Sequence, residues 1–212
     1  VYKRQYYDRM VEIDLSAVEP MIALPFHPSN AYPIREFLAN AQELLAGVEA
    51  EAKKRWPKAD VHLLGKIHDG AVWADQGIIA GCAGGMYENV AAAAEILKGS
   101  SLTDGEFALN IYPSSQPVYK GLVDNGYISR LIENGAVIKT AFCGPCFGAG
   151  DVPANNGLSV RHTTRNFESR EGSKPSGGQL AAVALMDARS IAATAKNGGR
   201  ITPADALDYE LE

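Results

Sequence analysis

Three cysteines carry the most pointed chemistry in this chain. Cys143 and Cys146 stand three apart in Phe142-Cys143-Gly144-Pro145-Cys146-Phe147-Gly148, and Cys82 lies upstream in Gly81-Cys82-Ala83-Gly84-Gly85. Each segment follows an apolar run, Ile78-Ile79-Ala80 in one case and Ala136 to Phe142 in the other. Glycine beside a thiolate permits close backbone approach and lets N–H groups point at sulfur. Gly81, Gly84, Gly85, Gly144, Gly148 and Gly150 flank the three cysteines in this way. A Cys-x-x-Cys pair places two thiolates at adjacent corners of one metal centre, and a third from a separate loop completes three ligands. Iron–sulfur clusters favour thiolates, and a cubane takes four. Three leave one iron without a protein ligand, a Lewis acid able to bind a hydroxyl and a carboxylate.

The same residues admit other readings. Cys-x-x-Cys is also a redox pair or half of a zinc site. A redox pair usually sits at a helix start, and here Gly144-Pro145 and Gly148-x-Gly150 oppose an immediate helix. Zinc needs a fourth nitrogen or sulfur ligand, for which His68 and His162 are the candidates. Cys82 alone also reads as a small buried hydrophobe. Downstream stands Thr164-Arg165-Asn166-Phe167-Glu168-Ser169-Arg170. Two arginines in one turn form paired forks for carboxylates. A solvated loop is the plainer alternative, with Glu168, Arg170 and Glu171 pairing locally at little gain. His27, His62, His68 and His162 are available for proton transfer, but nothing in the spacing places them, and each reads as structural or surface.

These loops need strands and helices to hold them. Met10 to Leu15 alternates and reads as a strand, and Met21 to Pro33 as extended chain or loop. From Ile34 to Trp56 apolar residues recur at three and four, predicting one amphipathic helix started at Pro33 and stopped by Pro57. Short strands are expected at Val72–Ala74 and Ile78–Ala80, a helix at Asn89–Lys98 and a strand at Phe107–Tyr112. Ser114 or Ser115 caps a helix reaching about Asn134. Strands at Ala136–Phe142 and Leu158–Thr163 and a helix at Gln179–Ala195 complete the reading. Repeated strand–helix–strand order implies an α/β fold with a mostly parallel sheet and helices on both faces. In such sheets function sits at the carboxyl ends of the strands, where the cysteines and arginines fall.

Composition narrows the classes. The chain has 212 residues, 46% hydrophobic and 21% charged, with 20 basic and 25 acidic side chains and a formal net charge of −5. That is globular, long enough for a real core, and unlike disorder or coiled coil. Mild acidity without a basic cluster argues against nucleic acid as a partner. No apolar run reaches the roughly 18–20 residues of a membrane span. Val1-Tyr2-Lys3-Arg4 leads into polar residues rather than a signal peptide, and three cysteines without a disulfide framework suit a reducing compartment.

The motifs converge. Asp14-Leu15-Ser16-x-Val18-Glu19-Pro20, Gly81-Cys82 ahead of a helix, Cys143-Gly144-Pro145-Cys146-x-Gly148 and Thr164-Arg165-Asn166-Phe167-x-x-Arg170 occur in that order. This resembles the third, cluster-binding domain of the aconitase superfamily, from about Glu12 to Gly199, with residues 200–212 as a tail. The resemblance implies an aconitase-type three-layer domain and a [4Fe–4S] cluster on Cys82, Cys143 and Cys146. It implies that Arg165 and Arg170, with Thr164, bind substrate carboxylates. The implied reaction is hydro-lyase chemistry on a small hydroxy-di- or tricarboxylic acid through an enoate. In that family the catalytic acids and bases lie on other domains, so none is assigned here. The resemblance further implies that residues 1–212 are one domain of a longer cytoplasmic or mitochondrial-matrix enzyme, inactive alone, its partners the remaining domains. Gly81 and Ala83 around Cys82, Thr164, Ser169 and Phe26-His27-Pro28 depart from the family pattern and mark a divergent branch. A regulatory or RNA-associated relative and a zinc-stabilised module are the competing classes.

Overall fold

The structure, a computed structural model, describes residues 5–103 and 105–209. A hairpin of β1 (Met21–Ala23) and β2 (Ala31–Pro33) leads into α1 (Ile34–Ala39) and α2 (Ala41–Arg55). A small separate hairpin, β3 (Ile67–His68) and β4 (Ala71–Val72), precedes β5 (Gln76–Ala80) and the single turn α3 (Gly81–Gly84). Then come α4 (Tyr87–Ile96), β6 (Ala108–Tyr112), α5 (Gln116–Asp124), α6 (Tyr127–Glu133), β7 (Val137–Ile138), β8 (Leu158–His162), β9 (Ala182–Met186) and α7 (Ala188–Lys196).

Seven strands form one sheet in the order β2-β1-β9-β8-β5-β6-β7. From β9 to β7 the pairs are parallel, and β1 and β2 add an antiparallel edge. The α/β, mostly parallel architecture matches the expectation. Winding runs outward from β5 through β6 to β7, then restarts on the other side with β8 and β9. The direction of winding therefore reverses between β5 and β8, the position at whose carboxyl ends such sheets place their functional loops.

The two faces of the central strands differ. Ile79, Leu109, Ile111, Leu158 and Val160 join one continuous core with Val90, Ala93, Leu122, Leu131 and Ile191 of α4–α7. Gly77 lets α7 lie close, since a Cβ there would sit 3.0 Å from Ile191 Cγ2 and 2.7 Å from Phe107 Cζ. On the opposite face Ile78, Ala80 and Tyr112 form a small separate cluster. Around it stand Gln76, Asn110, Ser159 and Arg161, in register across the three strands. The segment after β7 crosses this polar face: Arg161 bonds to the carbonyls of Pro145 and Asp151, and Asn110 to the Asp151 carboxylate. At the antiparallel edge α1 packs on β1 and β2, and α2 on α1. No helix among the described residues is long and apolar enough to cross a membrane.

Several elements differ from their sequence readings. Met10 to Leu15 forms no strand. Its apolar residues are exposed, and Asp14 caps a short 3₁₀ turn at Leu15–Ala17 by accepting the Ser16 N–H at 2.9 Å. Alternation without a partner strand buries nothing. The single helix over Ile34–Trp56 is two, broken at Asn40, whose side chain donates to the Glu36 carbonyl at 3.0 Å. The helix reaching Asn134 likewise breaks at Gly126, which adopts φ 76°. Its cap is Ser115, not Ser114. The strand expected over Ala136–Phe142 keeps only Val137–Ile138.

The expected helix at Gln179–Ala195 is a strand followed by a helix. Asp187 accepts the Ser190 N–H at 2.9 Å and starts α7 there. The apolar run Ala181–Met186 has no periodicity to separate strand from buried helix, and the vacant place between β8 and β1 decides it. After Gly199 the chain stays packed: Ile201 is buried and its N–H donates to the Val72 carbonyl at 2.9 Å.

Two glycines fix α3 against the sheet. A Cβ on Gly84 would lie 2.1 Å from the His162 carbonyl oxygen, and one on Gly85 2.1 Å from that of Tyr112. Backbone cannot yield as a side chain tip does, so Gly84→Ala is expected to cost about 2–3 kcal/mol. Urea unfolding of the variant would show this as a lower midpoint, and an unchanged midpoint would refute the close fit.

Candidate functional site

The site forms where β5, β6 and β8 end. β5 runs straight into α3, so Cys82 projects from the first turn after the strand and is exposed. Cys143 is exposed at the start of a 3₁₀ turn, Gly144–Cys146, and Cys146 closes that turn, buried. Gly81 (φ 68°) joins the two loops. A Cβ built on it would stand 3.4 Å from the sulfurs of both Cys143 and Cys146. The missing side chain keeps that space free for sulfur.

The thiols sense one another. Cys146 is pushed up to about 11, first by burial, then by its hydrogen bond with Cys143 and the charges of Cys143 and Cys82. The backbone N–H of Thr164 opposes this by hydrogen bonding that favours the thiolate. All three thiols are free. Among the described residues no group of three or more His, Cys, Asp or Glu is placed to hold a metal ion. His68 stacks on Trp73 at 5.3 Å between ring centroids, and its Nδ1 contacts Asp69 at 3.1 Å.

Thr164 begins the second half of the site. Arg165, exposed, belongs to no ion pair among the described residues, and Arg170 is half-buried with its Nε unpartnered. The local pairs that would neutralise this loop do not form. Glu168 faces Arg55 at 3.6 Å, and Glu171 accepts the Ser173 N–H at 3.1 Å. Between the arginines, Asn166 is buried and donates to the carbonyls of Ala23 at 3.2 Å and Leu24 at 2.7 Å. Its own carbonyl accepts the Phe26 N–H at 3.1 Å. The arginine loop is thus stapled to the β1–β2 connection.

This loop also concentrates unmet hydrogen bonds. His162 Nδ1, Thr163 Oγ1, Asn166 Oδ1, Arg170 Nε and Ser173 Oγ are buried without a partner. Buried polar atoms are nearly always paired, so five within residues 162–173 set this segment apart from the rest of the described residues.

Sequence reasoning missed the polar layer beneath. Arg161 is 1% exposed. Asp151, at φ 52°, accepts hydrogen bonds from Asn110 at 2.8 Å and from the Tyr112 hydroxyl. Burial and that bond push the Tyr112 phenol up. A signal existed: Gln76, Asn110, Ser159 and Arg161 interrupt otherwise apolar strands with the period of one face.

His162 gives a pH test. Burial holds its pKa below the ordinary imidazole value. The unfolded chain then binds the proton more readily, so this group lowers stability as pH falls through about 6.5, with the full penalty below the folded value. His162→Gln should flatten the stability–pH slope between about pH 7 and 5. An unchanged slope in denaturant titrations would contradict this.

Comparisons with known proteins bear on the whole site. A family model described as the Aconitase family (aconitate hydratase) matches residues 2–193. The 3-isopropylmalate dehydratase large subunit of Campylobacter hominis is 34% identical over 188 residues, covering 88% of this chain and 37% of that protein. A large subunit 2 of the same description from Rubrobacter xylanophilus is 33% identical over 199 residues, covering 93% and 38%. The Moorella thermoacetica large subunit is 30% identical over 186 residues, covering 87% and 36%. The chain spans little more than a third of the length of these relatives. With its parallel sheet, its cysteine loops and its arginine loop, it belongs to the aconitase family.

Proposed function

We propose that this chain is the cluster-bearing part of an aconitase-like hydro-lyase that dehydrates and rehydrates a small hydroxy-di- or tricarboxylic acid. The observation that supports the reading is that Gly81, next to Cys82, faces the sulfurs of Cys143 and Cys146, with the arginine loop following the neighbouring strand β8. The relatives are named dehydratases and large subunits, which supports a longer enzyme working with a partner subunit.

Cys82, Cys143 and Cys146 would hold a [4Fe–4S] cluster. The donor set fits, being three thiols with a side-chain-free cradle at Gly81. A cubane takes its thiolates at separate irons, so its ligands need not converge on one point as a single ion's do. When bound, the cluster supplies an open iron that is a Lewis acid for hydroxyl and carboxylate oxygens.

The chain's own residues bind and orient. Arg165 offers a guanidinium without an ion pair among the described residues to one substrate carboxylate, and the half-buried Arg170 offers its guanidinium to another. Thr164 fixes the distance between these and the thiols, because its N–H meets the Cys146 sulfur while its side chain faces outward. Two carboxylates held on a stapled loop present the carbon between them in one orientation. The group that removes the proton from that carbon belongs, on this reading, to the rest of the enzyme, so residues 1–212 alone are inactive.

Anaerobic treatment with iron and sulfide should turn the protein brown, with broad visible absorption that Cys143→Ser abolishes. A colourless wild-type protein, or stoichiometric zinc without iron, would overturn the reading. In the assembled enzyme Arg165→Gln should raise KM for a hydroxy-dicarboxylate by about 10- to 100-fold, the loss of one charge-assisted pair. Unchanged steady-state kinetics would remove Arg165 from the binding set.

A further inference from the structure

Arg161 is a buried cation whose hydrogen bonds among the described residues all go to neutral oxygens. Nε donates to Ser159 Oγ at 2.9 Å, Nη1 to the Pro145 carbonyl at 2.9 Å, and Nη2 to the Asp151 carbonyl at 2.6 Å and Gln76 Oε1 at 3.2 Å. Ser159 in turn donates to Gln76 Oε1 at 2.8 Å, which fixes the acceptor. No carboxylate lies in ion-pair range of the guanidinium among the described residues. Glu171 and Asp151 act on it from further off, as does Cys146. Burial brings its pKa down to about 10, so it stays protonated at neutral pH.

Such a charge is costly to bury and has to be answered by something negative. Its placement says what. Pro145 lies inside the Cys143–Cys146 turn, and Asp151 lies six residues further along the same connection. One side chain on β8 therefore grips this connection at two points, from the strand that pairs with β5 beneath Cys82. Asp151 is pinned again by Asn110 and Tyr112 of β6.

We propose that Arg161 is the positioning residue of the cysteine loop: it clamps Pro145 and Asp151 over the central strands and sets a fixed interior positive charge beside Cys146. The clamp stands on the geometry alone, and the charge role rests on the cluster reading above. Three thiolates give the site a net negative charge, and a cation held beneath them stabilises the more negative, reduced state. Lysine keeps the charge but loses the planar fork that reaches two carbonyls at once. Methionine loses both.

The test uses the whole protein with Arg161→Lys and Arg161→Met. Hydrogen exchange is read at Phe147 and Ala149, whose N–H groups bond to the Gly144 carbonyl. Both variants should exchange there about tenfold faster, the loss of one hydrogen bond, while α4 and α7 stay unchanged. In the reconstituted protein the Met variant should show a lower reduction potential, followed by electron paramagnetic resonance, and the Lys variant should keep the wild-type potential. If the Met variant does not fold, the Lys variant alone decides the clamp by its loop exchange. Unchanged exchange in a folded variant overturns the clamp even where a cluster forms. Equal potentials in all three proteins overturn the charge role. A wild-type protein that takes up no cluster defeats the functional reading and the charge role together, and leaves the clamp to stand or fall on exchange.

Discussion

A parallel sheet wound outward in both directions from its middle must leave a gap where the winding reverses. Here the gap lies between β5 and β8, and every chemically distinctive loop borders it. α3 carries Cys82 off the end of β5, and Thr164 and the arginines follow β8. The segment after β7 lays Cys143 and Cys146 over the same strand ends. Crossover chirality and short connections bring these loops together without any attraction among the cysteines themselves. Gly84 and Gly85 then set the depth, letting α3 touch the backbone of β8 and β6 directly.

The second constraint is the polar underside of the central strands. One face of β5, β6 and β8 is a normal apolar interface with α4–α7. The other is organised by Arg161, Gln76, Ser159, Asn110 and Tyr112, and its cover is a loop rather than a helix. A loop buries its backbone safely only when its carbonyls find donors. The strands supply those donors, so the loop bearing two of the thiols is held by hydrogen bonds to a rigid sheet.

Much of this was legible in the residues. Cys-Gly-Pro-Cys and the paired arginines pointed to the carboxyl ends of the strands, where the structure places them, and β5, β6, β8 and α4 announce themselves by apolar runs between breakers. What was not legible depended on partners distant in sequence. Ala181–Met186 is apolar without a period, and only the open slot beside β8 makes it a strand. Met10–Leu15 alternates, yet nothing lies alongside to pair with it. The glycines around Cys82 read as room for sulfur, which holds for Gly81, whereas Gly84 and Gly85 serve contacts with β8 and β6 that no local pattern displays. Arg161 was hidden because an arginine in a strand reads as solvent-facing until the covering loop is seen.

The Asn166 staple has a consequence for how a ligand is met. Its amide ties the arginine loop to Ala23 and Leu24 at the edge of the sheet, and Phe26 returns a bond to its carbonyl. The loop's conformational freedom is therefore surrendered when the chain folds. If the arginines bind carboxylates as proposed, association forfeits little further entropy, and they discriminate by fixed spacing rather than by adapting to each guest. The edge hairpin behind the loop is therefore part of its support, so a change at Phe26, whose N–H bonds to the Asn166 carbonyl, is transmitted to the spacing of the two arginines.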